Sequence, residues 1–220
     1  MISLSLFIII IVYYYILNRL SLFIKMQGTD DGEFEVYLGK TDFKFNCSHF
    51  IAYKGFRERL HGHNYRIFVR IIGGNQICDD GYLMDFGDIK KVTRAICSQL
   101  NEYFIVPAKT NSMIVEDNGE QYCLTCEDGA KFAFPKSDCM VLPIVHSSAE
   151  ELAHYLWGQI IKTIGIDSLK ARDVRLLEVS VAEAPQQQAT FRCRIPSTEE
   201  ELIKLSETPI RIKPMPCLDS

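Results

Sequence analysis

Apolar and polar positions alternate from Phe43 to His49, with Phe43, Phe45, Cys47 and His49 on one side of an extended chain and Lys44, Asn46 and Ser48 on the other. That period of two predicts a half-buried strand whose inner face carries a histidine. Residues 63–72 (HNYRIFVRII) are β-branched and aromatic enough to form its antiparallel neighbour. From Asp85 the period changes: Ile89, Val92, Ile96, Cys97 and Leu100 recur at three- and four-residue steps, which predicts a core-facing helix capped by Asp85. Between residues 112 and 134, Asn118-Gly119 and Asp128-Gly129 separate short strand-like runs, the pattern of a β-meander. A second helix follows, with Ser148 as cap, Glu151 completing a capping box, and Leu152, Leu156 and Ile160 as its stripe. Residues 174–184 set Leu177, Val179, Val181 and Glu183 on one strand face, and residues 189–195 supply a return strand. The segment 197–209 opens with a Ser cap and an acidic first turn, so its helix should stop before Pro209.

The order is therefore strand, strand, helix, insertion, helix, strand, strand. At 220 residues it fits one domain over 33–196, interrupted by an insertion at 108–145 and followed by a tail at 197–220. Residues 2–18 carry no charge and are followed by Arg19 and Lys25. Such a run is near the lower limit of about 17–25 residues for a membrane span. Two readings of residues 1–25 follow: an anchor over residues 2–24, whose flanking basic residues would keep the rest cytoplasmic, or an extension preceding a natural start at Met26.

With 47% hydrophobic and 24% charged residues the chain is globular, and a net charge of −4 supplies no general attraction for nucleic acid, which is excluded as the main partner. The eight cysteines are read as mostly reduced, since a chain of this size needs no disulfide framework. Cys123 and Cys126 have metal-ligand spacing but no second pair, so they are read as incidental. Trp157 should be core, and His154 either a packing or a solvent-facing residue.

The chemistry concentrates on His61-Gly62-His63. Two histidines at i and i+2 of an extended chain point the same way, and His49 can meet them from the neighbouring strand. Three imidazoles leave a tetrahedral zinc one open position, as a catalytic site requires. The plainer alternative is a pair of turn histidines plus a core histidine.

Four segments, NCSHFIAYKGFRERLHGHNY, GYLMDFGDIK, SSAEELAHYLW and EVSVAEAPQQQA, occur in the order and spacing of the 6-pyruvoyl-tetrahydropterin synthase family, and the chain resembles that family from residue 36 to about 195. The resemblance implies an α+β tunnelling fold: an antiparallel four-stranded sheet with two helices on one face, assembling through its sheets into an oligomeric β-barrel, here a homohexamer built as a dimer of trimers. It implies active sites between subunits that bind a pterin, with His49, His61 and His63 as zinc ligands and Glu183 anchoring the pterin ring. A carboxylate suits that task because it accepts two parallel hydrogen bonds. Ser148 and Ala149 lie where the family places ring-contacting backbone, although Ser148 also suits a plain helix cap.

Two departures bear on the reaction. Family members that make 6-pyruvoyl-tetrahydropterin carry a cysteine shortly before His-Gly-His, and residues 55–60 here contain none. Glu58 instead resembles the Glu-x-x-His-Gly-His subgroup that forms 6-hydroxymethyl-dihydropterin for folate synthesis, which implies Glu58 as general base. The alternative pairs Glu58 with Arg57 or Arg59 on a solvated loop. The family's Asp-His pair after the first helix is also absent; Glu102 or His146 would have to replace it. The reading is a zinc-dependent pterin lyase converting 7,8-dihydroneopterin triphosphate to 6-hydroxymethyl-7,8-dihydropterin. Its rivals are triphosphate elimination on the tetrahydrobiopterin route and pterin binding without turnover.

Overall fold

Strands β1 (Glu35–Leu38), β2 (Lys44–His49), β3 (Ala52–Tyr53), β4 (Phe56–Arg57) and β5 (His61–Gly73) precede helix α1 (Phe86–Leu100) in a computed structural model that describes residues 32–208. Then come β6 (Tyr103–Pro107), β7 (Met113–Asp117), β8 (Gln121–Cys126), β9 (Lys131–Pro135) and β10 (Cys139–Leu142). Helices α2 (Ala149–Ile164) and α3 (Ile166–Ala171), strands β11 (Val174–Ala184) and β12 (Gln187–Arg194) and helix α4 (Glu199–Glu207) complete the order. The hydrophobic segment 2–24 and the expected stop at Pro209 lie outside the described residues. Among the described residues no helix is long and apolar enough to cross a membrane.

β2, β5, β11 and β12 form the expected antiparallel four-stranded unit, with α1 and α2 packed on one face. The sheet extends further than the alternation alone predicts. β1 shares an edge of β5 with β2, β6 joins β2 in parallel at Cys47↔Tyr103, and β10 joins β6 in parallel, giving seven strands. β6 lacks alternation because parallel strands covered on both faces read as continuous apolar runs; four of its five residues are buried.

The inner face of the sheet buries Phe43, Phe45, Tyr65, Ile67, Val69, Val179 and Val181 against Ile89, Leu100, Leu152, Leu156, Trp157 and Ile160. The Asp85 side chain accepts from the Gly87 N–H at 2.7 Å, and Thr93 rather than Val92 turns inward, its hydroxyl donating to the Ile89 carbonyl. Ser148 caps α2, but Glu151 does not close a local capping box: its carboxylate reaches back to accept from the N–H groups of Val145 (2.7 Å) and His146 (2.9 Å). That anchors the turn before α2 to the helix. The cap of α4 is Thr198, one residue later than the sequence suggests, because Ser197 donates its N–H to Glu201 instead.

β7, β8 and β9 form the meander, with Gly119 and Gly129 in left-handed turns that favour glycine. It covers a second apolar cluster of Phe50, Ala52, Phe104, Val106, Leu124, Cys126 and Cys139. Cys123 and Cys126 stand three residues apart on β8 and so face opposite sides. Every cysteine among the described residues is free.

His154 is buried beneath α4, its Nε2–H donating to the Leu205 carbonyl at 2.6 Å and its ring 4.5 Å from that of Phe191. Burial holds its pKa below the ordinary histidine value. The unfolded chain therefore takes up a proton near pH about 6.5 while the folded chain refuses it, so stability is full above that pH and falls as acid is added toward the folded value. His154→Gln keeps a donor for Leu205 and removes the titration. The drop in Tm between pH 7.5 and 5.5 should be smaller in the variant, and equal drops would refute the assignment.

Candidate active site

β2 runs into His49 as β5 starts at His61, and the antiparallel register places His49 opposite His61, Cys47 opposite His63 and Phe45 opposite Tyr65. Side chains of one parity share a face, so all three imidazoles converge. Their ligand atoms lie within 4.8 Å of one another. His49 is buried, His63 half-buried and His61 exposed.

Each ring that has a partner is turned the way a metal ligand needs. Ser147 donates its hydroxyl hydrogen to the Phe50 carbonyl (3.1 Å) and can accept from the Nδ1–H of His49 (3.2 Å), which leaves His49 Nε2 without a proton. His61 donates Nδ1–H to the Arg59 carbonyl at 2.7 Å, leaving its Nε2 bare too. Fixing the tautomer through the distal nitrogen is how proteins orient metal-bound imidazoles. Burial, helped by His61 and His63, lowers the pKa of His49 to about 4, so it stays neutral, the ligating form. These residues fit a divalent metal such as zinc.

The Tyr65 hydroxyl lies 3.1 Å from His49 Nε2 and 3.4 Å from Glu183 Oε1, linking the trio to the residue expected to hold a ring. Burial, reinforced by nearby acidic groups, pushes the Tyr65 phenol well above its usual range, so it remains a donor. Glu183 is half-buried and lines a recess of about 530 Å³ with His63, Arg66 and Gln186.

Glu58 closes the β3–β4 hairpin. Its N–H donates to the Ile51 carbonyl (2.9 Å) and its Oε2 accepts from the Ile51 N–H (3.0 Å). It does not pair with Arg57, whose guanidinium goes to Asp128 (2.8 Å) and to the Glu58 carbonyl oxygen (2.8 Å). The second carboxylate oxygen of Glu58 has no hydrogen bond among the described residues, and its negative charge is close enough to raise the proton affinity of both His49 and Tyr65. A carboxylate with one oxygen tethered and one free is chemically able to accept a proton.

The other expected residues are arranged differently. Glu102 sits between α1 and β6 at φ 69°, its N–H bonded to the Asn46 carbonyl, and lines a cavity of about 600 Å³ with Ser48, Asn64 and Asp138. Positions 46, 48, 62 and 64 alternate with the ligand positions, but Cys47 and His63, which have the ligand parity, line this cavity as well. Glu102 thus lines the same cavity as His63, one of the three imidazoles. His146 is held through its backbone by Glu151, and the residue of its turn that reaches the trio is Ser147. Ser148 caps α2, and Ala149 packs into the core.

Sequence reasoning missed Tyr65 and Ser147. Tyr65 carried a signal, being the next inward position after His61 and His63. Ser147 carried none, since it meets His49 across 98 residues. Cys47 lies in the same layer, but burial, with the charge of Glu183, pushes its thiol up to about 12, so it supplies no thiolate near neutral pH.

A family model described as 6-pyruvoyl tetrahydropterin synthase matches residues 38–194. The chain is 42% identical to the 6-pyruvoyl tetrahydropterin synthase of Plasmodium vivax, whose crystal structure it matches with a TM-score of 0.72 over 74% of this chain and 99% of that one. The Plasmodium falciparum protein of the same name gives 39% identity and the same TM-score and coverage. A further P. vivax structure, 41% identical at a TM-score of 0.72 over 74% of this chain and 99% of that one, is of a variant in which a glutamate described as a catalytic residue is replaced by alanine. A Methanocaldococcus jannaschii protein provisionally named 6-carboxy-5,6,7,8-tetrahydropterin synthase is 27% identical over 152 residues, 68% of this chain and 89% of that protein.

Proposed function

Because the chain belongs to the 6-pyruvoyl tetrahydropterin synthase family, we propose that it is a zinc-dependent lyase converting 7,8-dihydroneopterin triphosphate to 6-hydroxymethyl-7,8-dihydropterin. The observation that carries this reading is the pairing of three converging imidazoles with a carboxylate whose second oxygen is free, while the thiol in the same layer is kept protonated. The glutamate described as catalytic in the P. vivax relative supports a carboxylate in this role.

His49, His61 and His63 would hold the zinc, which when bound supplies a Lewis acid that acidifies side-chain hydroxyls and offsets negative charge developing on oxygen. Glu183 would orient the pterin by accepting two parallel hydrogen bonds from the ring's amino and imino groups, with the Tyr65 hydroxyl donating to its Oε1. Glu58 would take the proton of the hydroxyl on the second side-chain carbon as the bond to the first carbon breaks. The electron pair passes into the ring's imine, and a proton returned to the first carbon completes the hydroxymethyl product. The remaining two carbons leave as an aldehyde bearing the triphosphate. The assembly proposed is a homohexamer, a dimer of trimers.

Chromatography of the products from purified protein, zinc and 7,8-dihydroneopterin triphosphate tests the reading: 6-hydroxymethyl-7,8-dihydropterin is expected. The names of the Plasmodium relatives favour a second outcome, 6-pyruvoyl-tetrahydropterin with loss of the triphosphate, and that product alone would replace the first reading. No product above a zinc-only control would leave a pterin-binding protein, the reading motivated by the missing Asp-His pair.

A further inference from the structure

The inserted meander touches the hairpin that carries Glu58 through a small set of directed contacts. At the β8–β9 turn, Asp128 Oδ2 accepts from Arg57 Nε at 2.8 Å, and Glu127 Oε2 accepts from the Gly55 N–H at 3.0 Å. Arg57 does not stop there: its NH1 donates to the Glu58 carbonyl oxygen at 2.8 Å. Its guanidinium also lies over the rings of Phe132, on β9, and Phe50, with centroids at 5.5 and 6.0 Å. One planar group is thus fixed by a charge from the insertion, by rings on both sides of the junction, and by the backbone of Glu58. A guanidinium can serve two acceptors in fixed directions, which a lysine ammonium cannot.

The hairpin needs such support. β3 and β4 have two residues each and pair only with each other. A two-stranded ribbon of that length has little stability of its own. The hydrogen bonds between Ile51 and Glu58 close the hairpin at its base; Ala52 seats it in the second apolar cluster, and Arg57 and Gly55 tie it to the meander.

We propose that the meander sets the position of Glu58, acting through Asp128 on Arg57 and through Arg57 on the Glu58 backbone, which makes Arg57 and Asp128 positioning residues for the proton transfer. The proposal rests on Glu58 acting as the base. It gives the insertion a task in turnover beyond covering the apolar cluster under it.

The test compares Arg57→Gln, Asp128→Asn, Glu58→Gln and the Arg57→Gln/Glu58→Gln double variant in the full chain loaded with zinc. Asp128→Asn is the mild member, since its side-chain oxygen can still accept from the Ala130 N–H and hold the turn. Misplacing a reacting group by about an ångström costs up to roughly 100-fold, so kcat should fall about 10- to 100-fold in both Arg57→Gln and Asp128→Asn, with KM within about twofold and zinc content unchanged. Since Arg57 acts through Glu58, adding Arg57→Gln to Glu58→Gln should lower the residual rate no further. Wild-type kcat in both Arg57→Gln and Asp128→Asn, or an equal loss from Arg57→Gln with and without Glu58, would overturn the positioning role while leaving the base intact. Full activity in Glu58→Gln would instead overturn the base assignment and the positioning role together.

Discussion

Glu58→Gln should lower turnover of 7,8-dihydroneopterin triphosphate by about 10²–10⁴-fold, the range for loss of a positioned general base, with zinc still bound at the wild-type level. The substitution is informative because it separates two tasks of one side chain. The glutamine amide oxygen can still accept from the Ile51 N–H, so the hairpin should stay closed. What is lost is the basic oxygen that has no partner among the described residues. Glu58 is not among the converging ligands, so metal content should not follow activity. Rapid-quench product analysis with parallel zinc determination makes the comparison. A variant that keeps its rate excludes Glu58 as the base, whereas one that loses zinc as well makes it a ligand.

The second large effect is expected from the metal centre. His61 is the exposed member of the trio and contributes nothing to the apolar core, so His61→Ala should fold normally. It removes one of three nitrogens and with it the chelate. Zinc should dialyse away from the variant, and turnover should fall to the level of the chelator-treated wild type. A ligand bound only by the native state stabilises it by about 2.7 kcal/mol when present at 100 times its Kd. Adding zinc to metal-free wild type should therefore raise its Tm, and the same zinc should leave the variant's Tm unchanged. Equal zinc content and equal Tm shifts in the two proteins would mean that the imidazoles do not share one ion.

The site was legible in unequal parts. The trio could be read because strand parity is encoded locally: once residues 43–49 and 61–72 are extended, the facing of His49, His61 and His63 follows from counting by two. Tyr65 obeys the same count, but a tyrosine in an aromatic strand also reads as core, which it is. Ser147 has no local mark, since its role comes from the turn before α2 being drawn back by Glu151 and laid against β2. Glu102 depends on tertiary structure in the same way. Its place after α1 suggests a proton carrier, and the parallel pairing of β6 with β2 brings it to a cavity that His63 also lines. Arg57 and Asp128, 71 residues apart, meet only because the meander folds back onto the hairpin.

What the chain determined by itself is what short-range periodicity can encode: two amphipathic helices with their caps at Asp85 and Ser148, four antiparallel strands, a meander with its two glycine turns, and three imidazoles of one parity. What only the tertiary structure decided is which partners those elements find across long stretches of chain. That includes the parallel strands β6 and β10, the tautomers set by Ser147 and Arg59, the protonated state of Cys47, and the hold of the insertion on Glu58. The division is physical. Backbone period and capping are settled within a few residues, whereas burial, desolvation and long-range hydrogen bonds depend on how distant segments fill the same space.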